Sequence, residues 1–315
     1  MKKTILWSSE VAPDVYAYVQ GDGGWGLSNA GLVVGQDEAL LVDTFFDLPS
    51  TYRLYSELPV QPTFIVNTHY NGDHCWGNEM FVGARIVAHA QCREQLLNGP
   101  QPAFLAALLA GDAGGDPTLS YLQQAMGRFD FEGITVTPPT EVFDGGSHTL
   151  DIGGRVVELF HYGPAHTLGD CVVWVPDQRV LFTGDLLFWK VCPLVWDGTV
   201  TNWLHALDEM LALDPAVVVP GHGPVGDTTG LVEMAGYFRL LAEQGRSLHD
   251  AGVPVEEAAA RLDLGSYASW VDIERTALNL LQVYRELDGD TRELTAIEAF
   301  SKMAAAAPRL TGGCC

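Results

Sequence analysis

Four short polar motifs, each placed at the end of an apolar run, constrain the fold of this chain more than any other feature. They are 69–74 (HYNGDH), 163–170 (GPAHTLGD), 182–185 (FTGD) and 220–224 (PGHGP). Each motif offers a histidine or an aspartate beside a glycine, which allows the backbone to turn a side chain inward. The apolar runs indicate buried strands, and loops at strand ends are where α/β folds usually hold their functional groups. We therefore expect the fold to bring four loops to one site.

Strand and helix patterns occur in two successive groups along the chain. Period-2 or continuous apolar patterns predict strands at Val15–Gln20, 29–34, 39–43, 62–67, Arg155–His161, Cys171–Val175, 180–183 and 216–220. Helical spacing is found at 50–58 in the first group and at Val200–Ala212 in the second. The repetition of strands followed by a helix predicts an α/β fold built from two halves that face each other.

Two further segments depart from this alternation. Residues 91–127 have helical patterning broken by prolines and glycines, a composition suited to a mobile cap over a pocket. Residues 228–307 have the pattern of amphipathic helices with almost no strand signal. We therefore divide the chain into a catalytic domain, 1–226, with a lid-like helical insertion at 91–127, and a C-terminal helical extension, 227–315, packed on it.

Composition narrows the possible partners and the location. The chain has 315 residues, 47% of them hydrophobic, and a formal net charge of −23, because 40 acidic residues face 17 basic ones. Nucleic acids and anionic lipids are bound by basic surfaces, so both are excluded as partners. The first ten residues lack the pattern of an export signal, and no apolar run is long enough to span a bilayer. We expect a cytoplasmic protein.

Histidines and aspartates in the four motifs point to a metal site. Borderline-soft divalent cations prefer imidazole nitrogens and carboxylate oxygens as ligands, and a hydrolytic site leaves one position open for water. In order and wording, the motifs resemble those of the metallo-β-lactamase superfamily: HxHxDH, a glycine-rich histidine loop, Gly-Asp and Gly-His. The resemblance covers roughly residues 10–226. It implies a four-layer αββα sandwich that binds one or two zinc ions, with manganese or iron as alternatives.

Transferred residue by residue, the resemblance implies a ligand set for two adjacent metal sites. The implied ligands are His69, Asn71, Asp73, His74, His166, Asp185 and His222. The first site would use His69, residue 71 and His166. The second would use Asp73, His74 and His222, and Asp185 would bridge the two. The same resemblance implies catalytic roles for Asp73, Asp185, His69 and His166 in positioning water and moving protons.

Residue 71 departs from the family pattern, which has a histidine there. The Asn71 amide oxygen is a neutral and weaker donor to zinc than an imidazole nitrogen. Two outcomes follow from this difference. In one, only the second site holds a metal, and His69 and His166 are free to act as bases or to hydrogen-bond the substrate. In the other, Asn71 coordinates through its carbonyl oxygen and two metals are retained.

The apolar run after Asp185 is the candidate substrate pocket. It contains Phe188, Trp189, Lys190 and Trp196, and it either forms core or lines an apolar pocket. We expect the pocket, because the run starts at a proposed metal ligand. Lys190 is then either a contact for an anionic substrate group or an ordinary solvated lysine.

These features together predict a metal-dependent hydrolase that acts on an ester, thioester or lactone of a bulky apolar or aromatic substrate. The wording of 68–78 (THYNGDHCWGN) and of 163–188 is similar to that of bacterial metal-dependent hydrolases that include thioesterases and cyclases of aromatic polyketide biosynthesis. The substrate would be a small molecule or an acyl group on a carrier protein, and the helical extension offers a surface for a homodimer. The alternatives are a mono-iron enzyme like the persulfide dioxygenases and a binding protein whose catalytic site has decayed.

Overall fold

Two β-sheets form the centre of the molecule. The computed structural model describes residues 6–292 and 294–310. The first sheet has seven strands in the order β1 to β7: Leu6–Ala12, Val15–Gln20, Ala30–Val34, Ala39–Val42, Phe64–Val66, Arg85–His89 and Glu141–Phe143. The second sheet has five strands in the order β12 to β8, which are, from β8 to β12, Ser147–Ile152, Arg155–His161, Cys171–Val175, Val180–Phe182 and Val217–Val219.

Strand directions place the carboxyl ends of several strands at common edges. In the first sheet β1 to β4 are antiparallel neighbours, whereas β4 to β7 are parallel. In the second sheet β10 runs antiparallel to both β9 and β11, and β12 is parallel to β11. Strands β9, β11 and β12 therefore point the same way. The loops that follow them meet at one edge, which is where parallel strands usually carry functional residues.

Alternation of side chains along each strand builds the core between the sheets. In β4, Leu40 and Val42 belong to the apolar cluster between the two sheets, while Leu41 packs in the cluster that includes Leu54 of the outer helix. Strand β10 is buried on both faces, so Val173 packs between the sheets and Trp174 packs under the helices on the other side. Burial on both faces explains the continuous apolar runs of these strands.

The described part of the chain contains ten α-helices, which surround the sheets. In chain order α1 to α10 they are Leu48–Glu57, Gly72–Cys75, Ala90–Asn98, Pro102–Leu109, Pro117–Met126, Val200–Ala212, Thr228–Asp250, Val255–Ala258, Thr276–Asp288 and Ala296–Leu310. Helix α1 covers the first sheet, and α6 and α7 cover the second. Aspartate or threonine side chains accept backbone N–H groups at the N-termini of α1, α5, α6 and α7. The predicted α/β class and the αββα sandwich are confirmed.

Some predicted elements differ in extent from the observed ones. The lid-like insertion contains three helices, α3, α4 and α5, separated where the prolines and glycines occur. Strands β1, β6, β7 and β8 were not predicted, because their short or mixed sequences give no clear period-2 signal. The predicted boundary near 226 falls between β12 and α7. Among the described residues, no helix combines the length and the apolar character needed to cross a bilayer.

Candidate metal centre

The four motifs occupy four loops at facing edges of the two sheets. His69 follows β5, and the short helix α2 that comes next carries Asp73 and His74. His166 lies in the loop between β9 and β10, and Asp185 lies on a 3-10 helix directly after β11. His222 follows β12, where the loop returns over the site. All these residues except Asp73 are almost fully buried.

The six side chains form two adjacent groups of three, and Asp185 lies where the two groups meet. One group is His69, His166 and Asp185, and the other is Asp73, His74 and His222; in each group the ligand atoms lie within 4.8 Å of one another. Asp185 Oδ2 is 3.6 Å from His69 Nε2, 3.4 Å from His166 Nε2 and 3.5 Å from His222 Nε2. His74 Nε2 lies 3.4 Å from His222 Nε2. The spacing brings together all six residues whose type matches the family pattern.

Hydrogen bonds on the far side of each imidazole fix which nitrogen faces the centre. The Nδ1–H of His74 donates to Asp43 at 2.9 Å, that of His166 donates to the carbonyl of Leu194 at 2.5 Å, and that of His222 donates to the carbonyl of Gly23 at 2.9 Å. Carbonyl and carboxylate oxygens only accept, so Nδ1 must carry the proton in each ring. The Nε2 atom then presents a lone pair to the interior.

The imidazole of His69 is oriented in the same way, by a hydrogen bond to the Thr68 hydroxyl. Thr68 Oγ1 donates its proton to Asp43 at 2.7 Å, so it accepts from His69 Nδ1 at 3.0 Å. His69 Nε2 is buried and has no hydrogen-bond partner among the described residues. Lone pairs that converge on carboxylates in a buried space require protons or cations to balance them. Imidazole and carboxylate donors of this kind fit a divalent cation such as zinc.

The electrostatics differ between the two groups. Burial lowers the pKa of His69 well below its usual value and lowers that of His166 to about 4, so both are neutral at pH 7. Burial also opposes protonation of His74 and His222, but the neighbouring carboxylates Asp185 and Asp73 raise both pKa values, that of His222 to about 9. The second group therefore binds protons when no cation is present.

Asp43 orients the site from behind. Its carboxylate accepts hydrogen bonds from Thr68 N at 2.7 Å, from the Thr68 hydroxyl and from His74 Nδ1, and it is 2% exposed. Its backbone φ of 59° lies in the left-handed region, which aspartate tolerates better than most residues. Asp43 lies at the end of its strand, where this left-handed backbone turns the chain, and its contacts make it a partner that orients the His74 imidazole and the Thr68 hydroxyl.

Asn71 is held between two side chains. Its Oδ1 lies 2.7 Å from His166 Nε2, and the side chain also hydrogen-bonds Tyr70. His166 Nε2 carries a lone pair, so an amide oxygen that faces it would set two hydrogen-bond acceptors against each other. This orientation is favourable when both atoms bind the same cation. With the amide turned over, Asn71 donates to His166 and accepts from Tyr70, and no ion is needed. The orientation of this amide therefore decides whether His166 is a metal ligand.

A cavity of about 500 Å³ opens over the metal centre. Its walls are largely aromatic and aliphatic, with the rings of Trp25, Phe46, Tyr70, Trp76, Phe104, Phe188, Trp196 and Phe300. Helices α3, α4 and α5 form one wall, and the C-terminal region forms the other. The walls are tied together because the Tyr121 hydroxyl donates to Glu274 at 2.7 Å and accepts from Trp25 Nε1 at 3.0 Å.

Two predicted pocket residues do not line this cavity. Phe188 and Trp196 do, but Trp189 and Lys190 turn away to Glu233 of α7, which accepts from Trp189 Nε1 at 2.9 Å and from Lys190 Nζ at 2.5 Å. Lys190 is one of the few non-glycine residues with a positive φ, 61°, so the backbone itself reverses there. The placement of Trp189 and Lys190 in the substrate pocket is therefore corrected, and of the two roles open to Lys190 from sequence the structure shows that of a solvated lysine, in a surface ion pair.

The residues missed from sequence come from distant parts of the chain. Trp25 and Phe300 line the cavity from opposite ends of the sequence, and Arg275 lines it from a 3-10 helix at Ile273–Arg275. None of these residues lies in a polar motif after a strand. The only available signal was the aromatic content of their neighbourhoods, which also fits an ordinary core.

Comparison with known proteins gives a consistent family. The model of the metallo-beta-lactamase superfamily matches residues 23–222, more than half of the chain. The linear primary-alkylsulfatase of Pseudomonas sp. (strain ATCC 19151) is 27% identical over 71% of this chain. The 2,4-dinitroanisole O-demethylase subunit alpha of Nocardioides sp. (strain JS1661) is 31% identical over 81% of this chain and 65% of its own length.

Solved structures show the same fold. A stereoselective inverting sec-alkylsulfatase from Pseudomonas sp. superposes with a TM-score of 0.67 and 18% identity, over 92% of this chain and 52% of that chain. The likeness extends through the C-terminal helices. This chain spans 45% of the length of the linear primary-alkylsulfatase and about half of the sec-alkylsulfatase structure.

Substitution of Asn71 by histidine tests the first metal site. An imidazole at this position restores a stronger metal ligand beside His69 and His166. If the wild-type amide faces His166 with its nitrogen, the first site is empty, and we expect Asn71→His to bind one more equivalent of zinc than the wild type. Inductively coupled plasma analysis of the dialysed proteins measures the ratio. Asn98→His is the matched control, because Asn98 lines the cavity away from the ligands. Equal zinc content in Asn71→His and wild type, at two equivalents each, would show that the amide oxygen already coordinates.

Metal affinity should rise with pH because the cation displaces a proton from His222. The pKa of His222 is raised from 6.5 to about 9, so each displaced proton should strengthen binding by about tenfold per pH unit between pH 7 and 9. Competition with a chromogenic chelator measures this affinity. Because the pKa of His222 is higher in the folded than in the unfolded protein, protonation of His222 stabilises the metal-free fold fully below pH 6.5. This contribution is lost as the pH rises past 9.

Thermal unfolding separates the two effects. The metal-free protein should lose stability between pH 7 and 9, whereas the zinc-loaded protein should not show this loss. His205→Gln is the control, because His205 lies on the surface of α6, where it pairs with Glu209. A metal affinity that is flat over this pH range would contradict protonation of His222 in the metal-free protein.

Proposed function

The chain belongs to the metallo-beta-lactamase superfamily, and from this premise we propose that it is a zinc-dependent hydrolase of esters, thioesters or lactones with a bulky apolar or aromatic group. Members of the superfamily are metal-dependent hydrolases. The observation that carries the proposal is the convergence of four Nε2 lone pairs and two carboxylates at the floor of an aromatic cavity. His69, His166 and Asp185 would hold one cation, and Asp73, His74 and His222 the other.

A bound divalent cation supplies Lewis acidity, which lowers the barrier to attack of water on a polarised bond. The chain's own residues supply the rest. Asp73 is the most exposed of the six ligands, with 13% of its side chain accessible, and it lines the cavity. Because nearby His74 and His222 lower the pKa of Asp73 despite its burial, the carboxylate is ionised and can accept a proton from water.

The proton must then reach the leaving group. Asp73 can return the proton it has accepted, because it faces the cavity in which the leaving group would lie. His69 and His166 are neutral imidazoles whose Nδ1 protons are committed to fixed acceptors, so they can accept hydrogen bonds at Nε2 but cannot rotate. If Asn71 leaves the first site without a cation, its amide N–H would donate to His166 Nε2, and His69 Nε2 would be the imidazole nitrogen left to accept a hydrogen bond from water or substrate.

The cavity supports a bulky apolar substrate. Its aromatic walls exclude water from the reacting bond, and they offer large apolar surfaces for an aromatic ring or an alkyl chain. The names of the two relatives describe action on an alkyl sulfate and on an aromatic ether. In both of these substrates an apolar group is bonded to the oxygen of the reacting function. A thioesterase or cyclase of aromatic polyketide biosynthesis, with a carrier protein as partner, is the narrower form of the proposal.

Hydrolysis of a sulfate ester is the second candidate. It is favoured by the identity shared with the linear primary-alkylsulfatase and by an arginine in the cavity. Metal analysis distinguishes these two hydrolase candidates from a mono-iron oxygenase and from a binding protein whose catalytic site has decayed. Zinc with ester turnover supports hydrolysis, iron with oxygen uptake supports the oxygenase, and a protein with no metal after expression in supplemented medium overturns the proposal.

Replacement of Asp73 by asparagine should abolish proton transfer. We expect Asp73→Asn to lower kcat for p-nitrophenyl esters by a factor of at least about 100, because the amide accepts no proton. Steady-state kinetics at equal zinc content, checked by metal analysis, measures the effect. Asp208→Asn is the control, since Asp208 is an exposed residue of α6. Unchanged kcat in Asp73→Asn with zinc retained would remove Asp73 from the reaction.

Removal of the Trp196 indole should weaken selectivity for bulky substrates. Trp196 lines the cavity and packs against Phe300 at a ring distance of 5.8 Å, so Trp196→Ala should raise KM for p-nitrophenyl decanoate by about tenfold and leave the acetate ester nearly unchanged. Trp189→Ala is a matched control, because Trp189 turns to Glu233. A larger effect of Trp189→Ala than of Trp196→Ala would place the substrate elsewhere.

A further inference from the structure

A buried arginine lines the same cavity as the metal ligands. Arg275 is 2% exposed, and its guanidinium lies 4.0 Å from the centre of the Trp25 ring and 5.6 Å from that of Phe188. Phe188 in turn stacks on His222, with 4.9 Å between ring centres and an angle of 6° between planes. Arg275 therefore lies one aromatic ring away from the second ligand group.

The hydrogen bonds within the protein use only part of the Arg275 guanidinium. Nη1 donates to the carbonyl of Cys192 at 3.0 Å, and Nη2 forms an ion pair with Asp272 Oδ2 at 2.8 Å. Nε has no hydrogen-bond partner among the described residues. A guanidinium has five N–H donors, so donors remain on a group that has already lost its contact with bulk water. A buried donor without an acceptor destabilises a fold, which indicates that an acceptor arrives with a ligand.

The cavity offers few other ways to hold an anion. Among the described residues that line it, Arg275 is the sole lysine or arginine, in a chain with only 17 basic residues. The carboxylates of Asp73 and Asp185 would be engaged by cations, a third carboxylate in the wall, that of Asp197, accepts from Gln95 Nε2 at 2.7 Å, and the remaining wall is largely apolar. A packing role alone would be served by an uncharged side chain, since the rings of Trp25 and Phe188 on which the guanidinium packs do not require a charge.

We propose that Arg275 binds an anionic group of the substrate, a carboxylate or a sulfate, while the aromatic walls hold its apolar part. This inference rests on the proposed function, because it assigns the substrate class of the same site: an apolar or aromatic amphiphile with one oxyanion. The planar guanidinium forms directional hydrogen bonds to such oxygens. Arg275 would then provide the cation for an anionic substrate group, whereas Lys190 pairs with Glu233 and does not line the cavity.

A pair of fluorescent probes that differ in one charged group tests this subsite. 8-Anilinonaphthalene-1-sulfonate carries a sulfonate, and N-phenyl-1-naphthylamine is the same ring system without it. We expect Arg275→Gln to weaken binding of the sulfonate probe to the zinc-loaded protein by about tenfold or more and to change binding of the neutral probe by less than twofold. Fluorescence titration gives both dissociation constants without any turnover.

The Asp272 carboxylate must be controlled for, because Arg275→Gln leaves it without its cation. The double variant Asp272→Asn with Arg275→Gln removes both charges and should show the same selective loss. Arg155→Gln is the matched control, since Arg155 is a largely buried arginine paired with Asp177 outside the cavity. It should leave both probes unchanged.

The outcomes separate the proposals. Equal weakening of both probes in the double variant, or no weakening of either, overturns the anion subsite. Two competitors, 1-naphthoate and 1-naphthalenesulfonate, identify the oxyanion. If either displaces the sulfonate probe from the wild type but not from Arg275→Gln, the anion subsite is supported. If neither displaces it from the wild type, the subsite is overturned. Absence of metal-dependent hydrolysis would overturn the proposed function while leaving the binding result valid.

Discussion

The hydrogen bonds on the outer nitrogens of four histidines are the constraint on which the rest of the site depends. Asp43, Thr68 and two backbone carbonyls accept these protons, so every Nε2 lone pair faces the same buried space. The carbonyls belong to loops far away in the sequence, at Gly23 and Leu194. Ligand geometry is therefore set by the packing of the two sheets and their loops, and a cation completes an arrangement already present in the protein.

The sequence was sufficient for the fold class and for the residues that meet at the centre. Apolar strands followed by motifs with His, Asp and Gly predict loops at sheet edges, and parallel strands bring those loops together. Sequence could not predict that Trp25, Arg275 and Phe300 belong to the cavity wall, because they reach it through contacts between distant segments. It also could not predict that the backbone reverses at Lys190, since a local φ of 61° for a lysine depends on tertiary packing.

Asn71 illustrates where sequence and structure contribute different information. From sequence it is either a missing ligand or a weaker one that coordinates through its carbonyl oxygen. In the structure it is a partner of both His166 and Tyr70, and its two amide orientations correspond to two states of the first metal site. Substitution of one histidine by an amide therefore need not disable a site of this kind. It can convert a metal ligand into a hydrogen-bonding imidazole at the edge of an apolar cavity.

The contact of Tyr121 with Glu274 and Trp25 links the helical insertion to the C-terminal region across the cavity. Both walls are thus joined by these hydrogen bonds as well as by the packing of α5 against α10, so a substitution in one wall alters the surroundings of the other. Directed evolution of this scaffold toward new substrates should accordingly vary the two segments as a pair, since libraries confined to one of them would repeatedly break a junction that only matched substitutions can rebuild.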